Sequence, residues 1–164
     1  MSQGKSSIRD KILVIGIGNE LRSDDAAGLL VARQLKSLNL SGVQIREFTG
    51  DGAGMMDAWV GFPSVFVFDA TSPTGQAGSI HRFEAHNQPL PAILFNVSTH
   101  SFGLAEAVEL GRRLKRIPTE LIVYGIEGEN FSIGQSVSPA VTVSIQAVSE
   151  TACAEIRKRL SAAP

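Results

Sequence analysis

Lys11-Ile12-Leu13-Val14-Ile15-Gly16 is a near-continuous apolar run. A strand with one wet face alternates apolar and polar residues. A run this uniform reads as a strand buried on both faces, which needs helices above and below the sheet. Ser64-Val65-Phe66-Val67-Phe68-Asp69 is a second buried strand, ending on an acid, and Glu120-Leu121-Ile122-Val123-Tyr124-Gly125-Ile126-Glu127 is the last strand. Val43–Phe48 alternates, as a strand nearer an edge does, and Gly78–Glu84 is a less regular fourth strand.

Helices fall between these runs. Ser23 reads as an N-cap, followed by Asp24 and Asp25 in the first turn and an apolar-faced helix to Leu35. Residues 49–54 form a glycine-rich turn into a short helix from about Met55 to Val60. Residues 86–99, with Pro89 and Pro91, read as a long loop. Ser101 through Arg116 makes an amphipathic helix with Leu104, Ala107, Val108 and Leu114 on one side. Ser138-Pro139 caps a final helix, with Pro at the first position where its missing N–H costs nothing. Val141, Ile145, Val148, Ala152 and Ile156 face inward, with Cys153 half-buried beside them. The expected fold is α/β: a three-layer sandwich whose mostly parallel, five-stranded sheet is flanked by helices. Ligands in such sheets bind outside the carboxyl ends of the strands.

The 164 residues are expected to form a single domain, 1–164, with a polar N-terminal tail over 1–10. A net charge of −1 argues against nucleic acid or an anionic membrane surface as partner. One cysteine excludes a disulfide framework or a Cys-rich metal site and fits a reducing compartment. No signal peptide or membrane-spanning run is visible, so a cytoplasmic protein is expected. Gly4-Lys5-Ser6 is a chance match to a phosphate loop, lacking the upstream glycine and preceding strand. Gly16-Ile17-Gly18 resembles the start of a dinucleotide fingerprint, but Leu21 stands where the third glycine belongs and the helix begins too late.

The candidate chemistry lies at the strand ends. Asp24 and Asp25 have a plain explanation as acids favoured by the helix dipole. Asp69 is harder to explain that way, because it ends a Val/Phe strand at the edge where sites form. His100 precedes a helix start, where the dipole disfavours its cationic form and leaves the imidazole free to bind a metal. His81 is flanked by strand residues and His86 lies in a loop, neither in a comparable setting. Cys153 has no activating partner in sequence. Asp25, Asp69 and His100 could converge at one sheet end. Two carboxylates and one imidazole suit a divalent transition metal with open positions. They could equally act as base and orienting acid around water. Neither H-E-x-x-H nor G-x-S-x-G is present.

These segments resemble the NiFe-hydrogenase maturation endopeptidases. Ile12–Asn19 followed by Leu21–Gly28 is similar to that family's first strand and loop, and Gly50-Asp51-Gly52-Ala53-Gly54-Met55 to its glycine-rich second loop. Val67-Phe68-Asp69-Ala70 resembles its third strand. Ser98-Thr99-His100-Ser101-Phe102-Gly103-Leu104 resembles its histidine segment. Tyr124-Gly125-Ile126-Glu127, with Gly134 and Ser138-Pro139, resembles its last strand and final helix cap. The resemblance implies a twisted mixed sheet flanked by helices. It places Asp25 as the first acidic metal ligand (often Glu in relatives), Asp69 as the second and His100 as the imidazole. It implies an endopeptidase that removes the C-terminal extension of a large-subunit precursor already loaded with nickel. The nickel comes with the precursor, and other divalent metals are expected to substitute for it. A monomer is expected, though no motif here bears on it. Asp51 departs from the pattern, standing where many relatives have Gly and adding negative charge near the site.

Two other classes share part of the pattern. A receiver-like phosphoacceptor module needs its acid pair directly after the first strand and a Lys after the last. Here seven residues intervene, and Glu127-Gly128-Glu129 follows. A non-catalytic metal-binding chaperone could use the same three residues, although a set without thiolates binds free metal weakly.

Overall fold

The computed structural model describes residues 10–96 and 101–162. The strands are β1 (Ile12–Ile17), β2 (Val43–Phe48), β3 (Ser64–Thr71), β4 (Ile80–Glu84) and β5 (Glu120–Glu127). The helices are α1 (Ala27–Ser37), α2 (Gly52–Trp59), α3 (Leu104–Arg113) and α4 (Pro139–Ala162), with a 3-10 turn at Ser23–Ala26. All five strands form one sheet in the order β2-β1-β3-β5-β4. β1, β2, β3 and β5 are parallel. β4 runs antiparallel to β5 at the edge, so the sheet is mixed, as expected.

Burial on both faces explains the apolar runs. Val14, Phe66, Phe68, Ile122 and Tyr124 point to one side and pack with Val31 and Leu35 of α1 and Val141, Ile145, Val148, Ala152 and Ile156 of α4. Leu13, Ile15, Val65, Val67, Leu121 and Val123 point to the other and pack with Met55 and Trp59 of α2 and Leu104, Ala107 and Val108 of α3. β4 has one half-buried face and one exposed face, so its burial alternates along the strand. Cys153 is fully inside the α1/α4 layer rather than half-buried.

Several local expectations are corrected by tertiary contacts. Ser23 is not an N-cap: it has φ +52° and its hydroxyl donates to Ser136 O at 2.8 Å. The acids after it lie in the 3-10 turn, not in the first turn of α1. α2 starts at Gly52 rather than near Met55, because the Asp51 carboxylate caps it by accepting from Ala53 N at 3.1 Å. α3 is shorter at both ends than the periodicity suggests, and Leu114 lies beyond it at 52% exposure instead of on the inward face. Residues 4–6 of the chance phosphate-loop match fall outside the described residues.

The sheet order reverses beside β1. β2 lies on one side of it and β3 on the other, so the crevice between the carboxyl ends of β1 and β3 is the topological switch point. Gly28 sets how closely α1 seats against that crevice. A Cβ there would fall 2.2 Å from Phe68 O and 2.5 Å from Ile17 O. Gly28→Ala should therefore push α1 off both strands, costing about 1–3 kcal/mol or more as overpacking. A thermal melt should fall by several degrees; an unchanged midpoint would mean the helix is not seated as described.

Candidate functional site

Asp69 does not end β3, which stays buried for two more residues through Ala70 and Thr71; it lies near the carboxyl end of the strand, in register with Gly125 of β5 and one residue beyond Phe68, which faces Gly16 of β1. Asp25 sits in the 3-10 turn that Gly28 brings down onto the same strand ends. Gly18 makes room beneath it: with φ +154°, its missing Cβ would lie 1.9 Å from Asp25 O. The structure thus brings Asp25 and Asp69 together across the switch point, both buried. Burial pushes the Asp69 carboxyl well above the ordinary carboxylate range, and the Asp25 charge pushes it the same way, against the Ala70 N–H. Burial also raises Asp25, opposed by the Arg22 guanidinium at 3.7 Å and by Asn19 N–H, which donates to its Oδ2 at 3.1 Å. Two neighbouring buried carboxyls resist ionising together. A divalent cation between them relieves both the mutual repulsion and the cost of burial.

His100 lies outside the described residues, so its position relative to the acids is not part of this geometry. The chain on either side of it does reach this region. Phe95 packs over Gly125, the register partner of Asp69. Beyond His100, Phe102 O accepts from Gly52 N at 3.0 Å, which joins the approach to α3 to the glycine-rich turn before α2. Asp51 at that turn spends its carboxylate on the α2 cap. Among the described residues, no cluster of three or more His, Cys, Asp or Glu is placed to hold a metal by itself.

Asp24 plays a different part from its neighbour. It is fully buried, and its carboxylate accepts from Glu129 N, Asn130 N, Ser138 N and the Ser138 hydroxyl at 2.7–3.0 Å. Burial alone pushes this carboxyl up. The backbone N–H groups of Glu129, Ser138 and Asn130, with the Ser138 hydroxyl, outweigh that and hold it below its ordinary value. Asp24 therefore clips the turn that carries Asp25 to the β5–α4 loop and to the start of α4. Sequence reasoning gave Asp24 only a dipole role, because its partners lie more than a hundred residues away.

Glu127 has a structural part that its place at the end of β5 does not suggest. It is buried, and it orders the loop after β3 by accepting from Thr74 N, Thr74 Oγ1 and Gln76 N at 2.6–2.9 Å. His81 is in register with Gly125, and its Nε2 lies 4.0 Å from Glu127 Oε2. His86 substitutes for a strand partner at the sheet edge, its Nδ1 accepting from Leu121 N at 3.0 Å.

The fold and site define a doubly wound α/β protein with an acid pair at its switch point. A family model described as HycI, hydrogenase maturation protease, matches residues 49–155. The Hydrogenase 2 maturation protease of Escherichia coli K12 is 25% identical over 152 residues, covering 90% of this chain and 92% of that protein. A solved structure of the hydrogenase maturating endopeptidase HybD from E. coli superposes with a TM-score of 0.76 at 23% identity, covering 91% of this chain and 93% of that one. The NiFe-hydrogenase maturation protease HycI from Thermococcus kodakarensis KOD1 gives 0.67 at 25% identity, covering 93% and 95%. The chain belongs to the hydrogenase maturation protease family and is an endopeptidase of that family. The receiver-like reading is thereby set aside, and so is the non-catalytic chaperone. No helix among the described residues is long and apolar enough to cross a membrane.

Proposed function

We propose that this endopeptidase makes a single cut that removes the C-terminal extension of a NiFe-hydrogenase large-subunit precursor already carrying nickel. Asp25, Asp69 and His100 take hold of that nickel as part of the substrate. The observation that carries the reading is the buried pair Asp25 and Asp69, whose carboxyls are both raised above the ordinary value, chiefly by burial. Two carboxylates and an imidazole match a borderline divalent ion. A precursor without nickel offers nothing to satisfy the pair, so metal occupancy serves as the admission test. Ligation also anchors the precursor with its scissile bond near the acids, where proximity lowers the barrier. The seven-residue approach from β1 and the Asp24 clip hold Asp25 in place before substrate arrives. We read the protein as a cytoplasmic monomer folded as one domain.

The test is to incubate the protein with nickel-loaded and nickel-free forms of a cognate precursor and to follow the large subunit by mass spectrometry. Loaded precursor should lose one C-terminal peptide while the nickel-free form stays intact. Equal inaction on both, or equal cutting of both, contradicts the proposal.

A further inference from the structure

Large aliphatic side chains flank the acid pair in full view of solvent. Leu21 is 67% exposed, Ile133 78% and Ile93 80%. None belongs to a helix or strand, and all sit on loops that hydrogen bonds fix close to the site. Leu21 N donates to Asn19 Oδ1 at 2.9 Å, and Asn19 N donates to the Asp25 carboxylate at 3.1 Å. Gly134 N in turn donates to Leu21 O at 3.0 Å, which sets Ile133 beside Leu21. The Asp24 clip and the Ser23–Ser136 bond make these two loops one platform. Ile93 stands on the other flank: Ser72 N, three residues beyond Asp69, donates to Leu94 O at 2.8 Å.

We infer that Leu21 and Ile133 on the Asp25 side, and Ile93 on the Asp69 side, form the docking surface for the precursor, packing against apolar side chains that flank its nickel-bearing segment. The inference rests on the reading that the precursor's nickel reaches Asp25 and Asp69. Metal–ligand contact brings precursor atoms to the acids themselves. A specific interface covers about 800 Å² on each partner, a disc of about 16 Å radius. Consecutive Cα atoms are about 3.8 Å apart, so the bonded path from Asp25 through Asn19 to Leu21 fits inside that disc. By the same measure, three Cα steps and one hydrogen bond take Asp69 to Leu94 at about 16 Å, the rim of that disc, and Ile93 is the next residue. A partner seated on the acids therefore covers Leu21 and reaches the rim where Ile133 and Ile93 stand. Exposed aliphatics held on a rigid platform, rather than scattered singly, mark such a contact.

The test measures steady-state cutting of nickel-loaded precursor by wild type, Leu21→Asp/Ile133→Asp, Leu21→Ser/Ile133→Ser, Ile93→Asp, and Val60→Asp as a control. Val60 is half-exposed at the end of α2, just before β3 begins and so toward the amino ends of the strands, away from the acids. The three docking variants should raise KM at least tenfold, leave kcat within about twofold, and melt at the wild-type temperature, while the control matches wild type. Unchanged KM in the docking variants, with an active wild type, overturns the docking surface and leaves the proposed function standing. A wild type that does not cut loaded precursor instead counts against the proposed function. If wild type sediments as a dimer that the Asp variants dissociate, the surface belongs to a second copy and the inference fails.

Discussion

Asp69→Asn should abolish precursor cutting and at the same time stabilise the free protein. The loss follows from charge. An amide cannot supply the anionic oxygen that the proposed nickel contact needs, and even outer partners of metal ligands are worth 10–100-fold. Cutting of loaded precursor should therefore drop by at least about 100-fold. The gain follows from burial. The Asp69 carboxyl is raised in the fold, chiefly by burial and then by Asp25. A group raised in the fold contributes most to stability below its unfolded value, ordinarily 3.8, and that contribution is lost as pH rises through the folded value. At neutral pH the wild type bears that cost and the amide does not. Each 1 kcal/mol relieved raises the melting midpoint by about 2–4 °C in a chain of this size. The advantage of the variant should shrink as pH falls toward 3.8. Melting curves at pH 7 and pH 4, with circular dichroism to check the fold, measure it. Normal cutting by the variant removes Asp69 from the mechanism.

Asp24→Ala should be the most destabilising substitution of any acid in the chain. Three backbone N–H groups and one hydroxyl lose their acceptor, the two Ser138 donors in a buried place and those of Glu129 and Asn130 in a partly buried one. A buried donor left unsatisfied costs about 1–3 kcal/mol, so a loss on the order of 3 kcal/mol or more is expected. That corresponds to a fall of about 6–12 °C in melting midpoint. The pH dependence has the opposite sign to that of Asp69. The Asp24 carboxyl is held below its ordinary value, so its contribution is present above pH 3.8 and lost as pH falls through the folded value. The gap between wild type and Asp24→Ala should close in acid. Cutting should fail too, because the turn that positions Asp25 loses its clip. Asp24→Asn, which keeps one acceptor oxygen, should be intermediate; a melt of Asp24→Ala indistinguishable from wild type rules out the clip.

The layered fold was legible because burial on both faces leaves a compositional mark: β1, β3 and β5 are apolar almost throughout. Asp69 was legible as a charge interrupting such a run, but not as the strand's end, because Ala70 and Thr71 carry β3 on beside β5. The division of labour between Asp24 and Asp25 was not. Adjacent acids look alike to any local rule, and what separates them is a set of donors brought from residues 129–138 by the chain's return after β5. Ser23 misled for a related reason: a capping residue by type, it is drawn instead to Ser136. The antiparallel direction of β4 left no such trace: Ile80-His81-Arg82-Phe83-Glu84 does not alternate apolar with polar, and the alternation appears only in its burial.

The central claim is that the acid pair meets nickel held by the precursor. Nickel K-edge X-ray absorption on the loaded precursor, recorded alone and then frozen rapidly after mixing with the protease, tests it directly. The account predicts new light-atom ligands, oxygen and nitrogen, in the first coordination shell on mixing, with the oxygen contribution diminished when Asp69→Asn is used. A nickel spectrum that stays the same while the wild-type enzyme goes on to cut would contradict it.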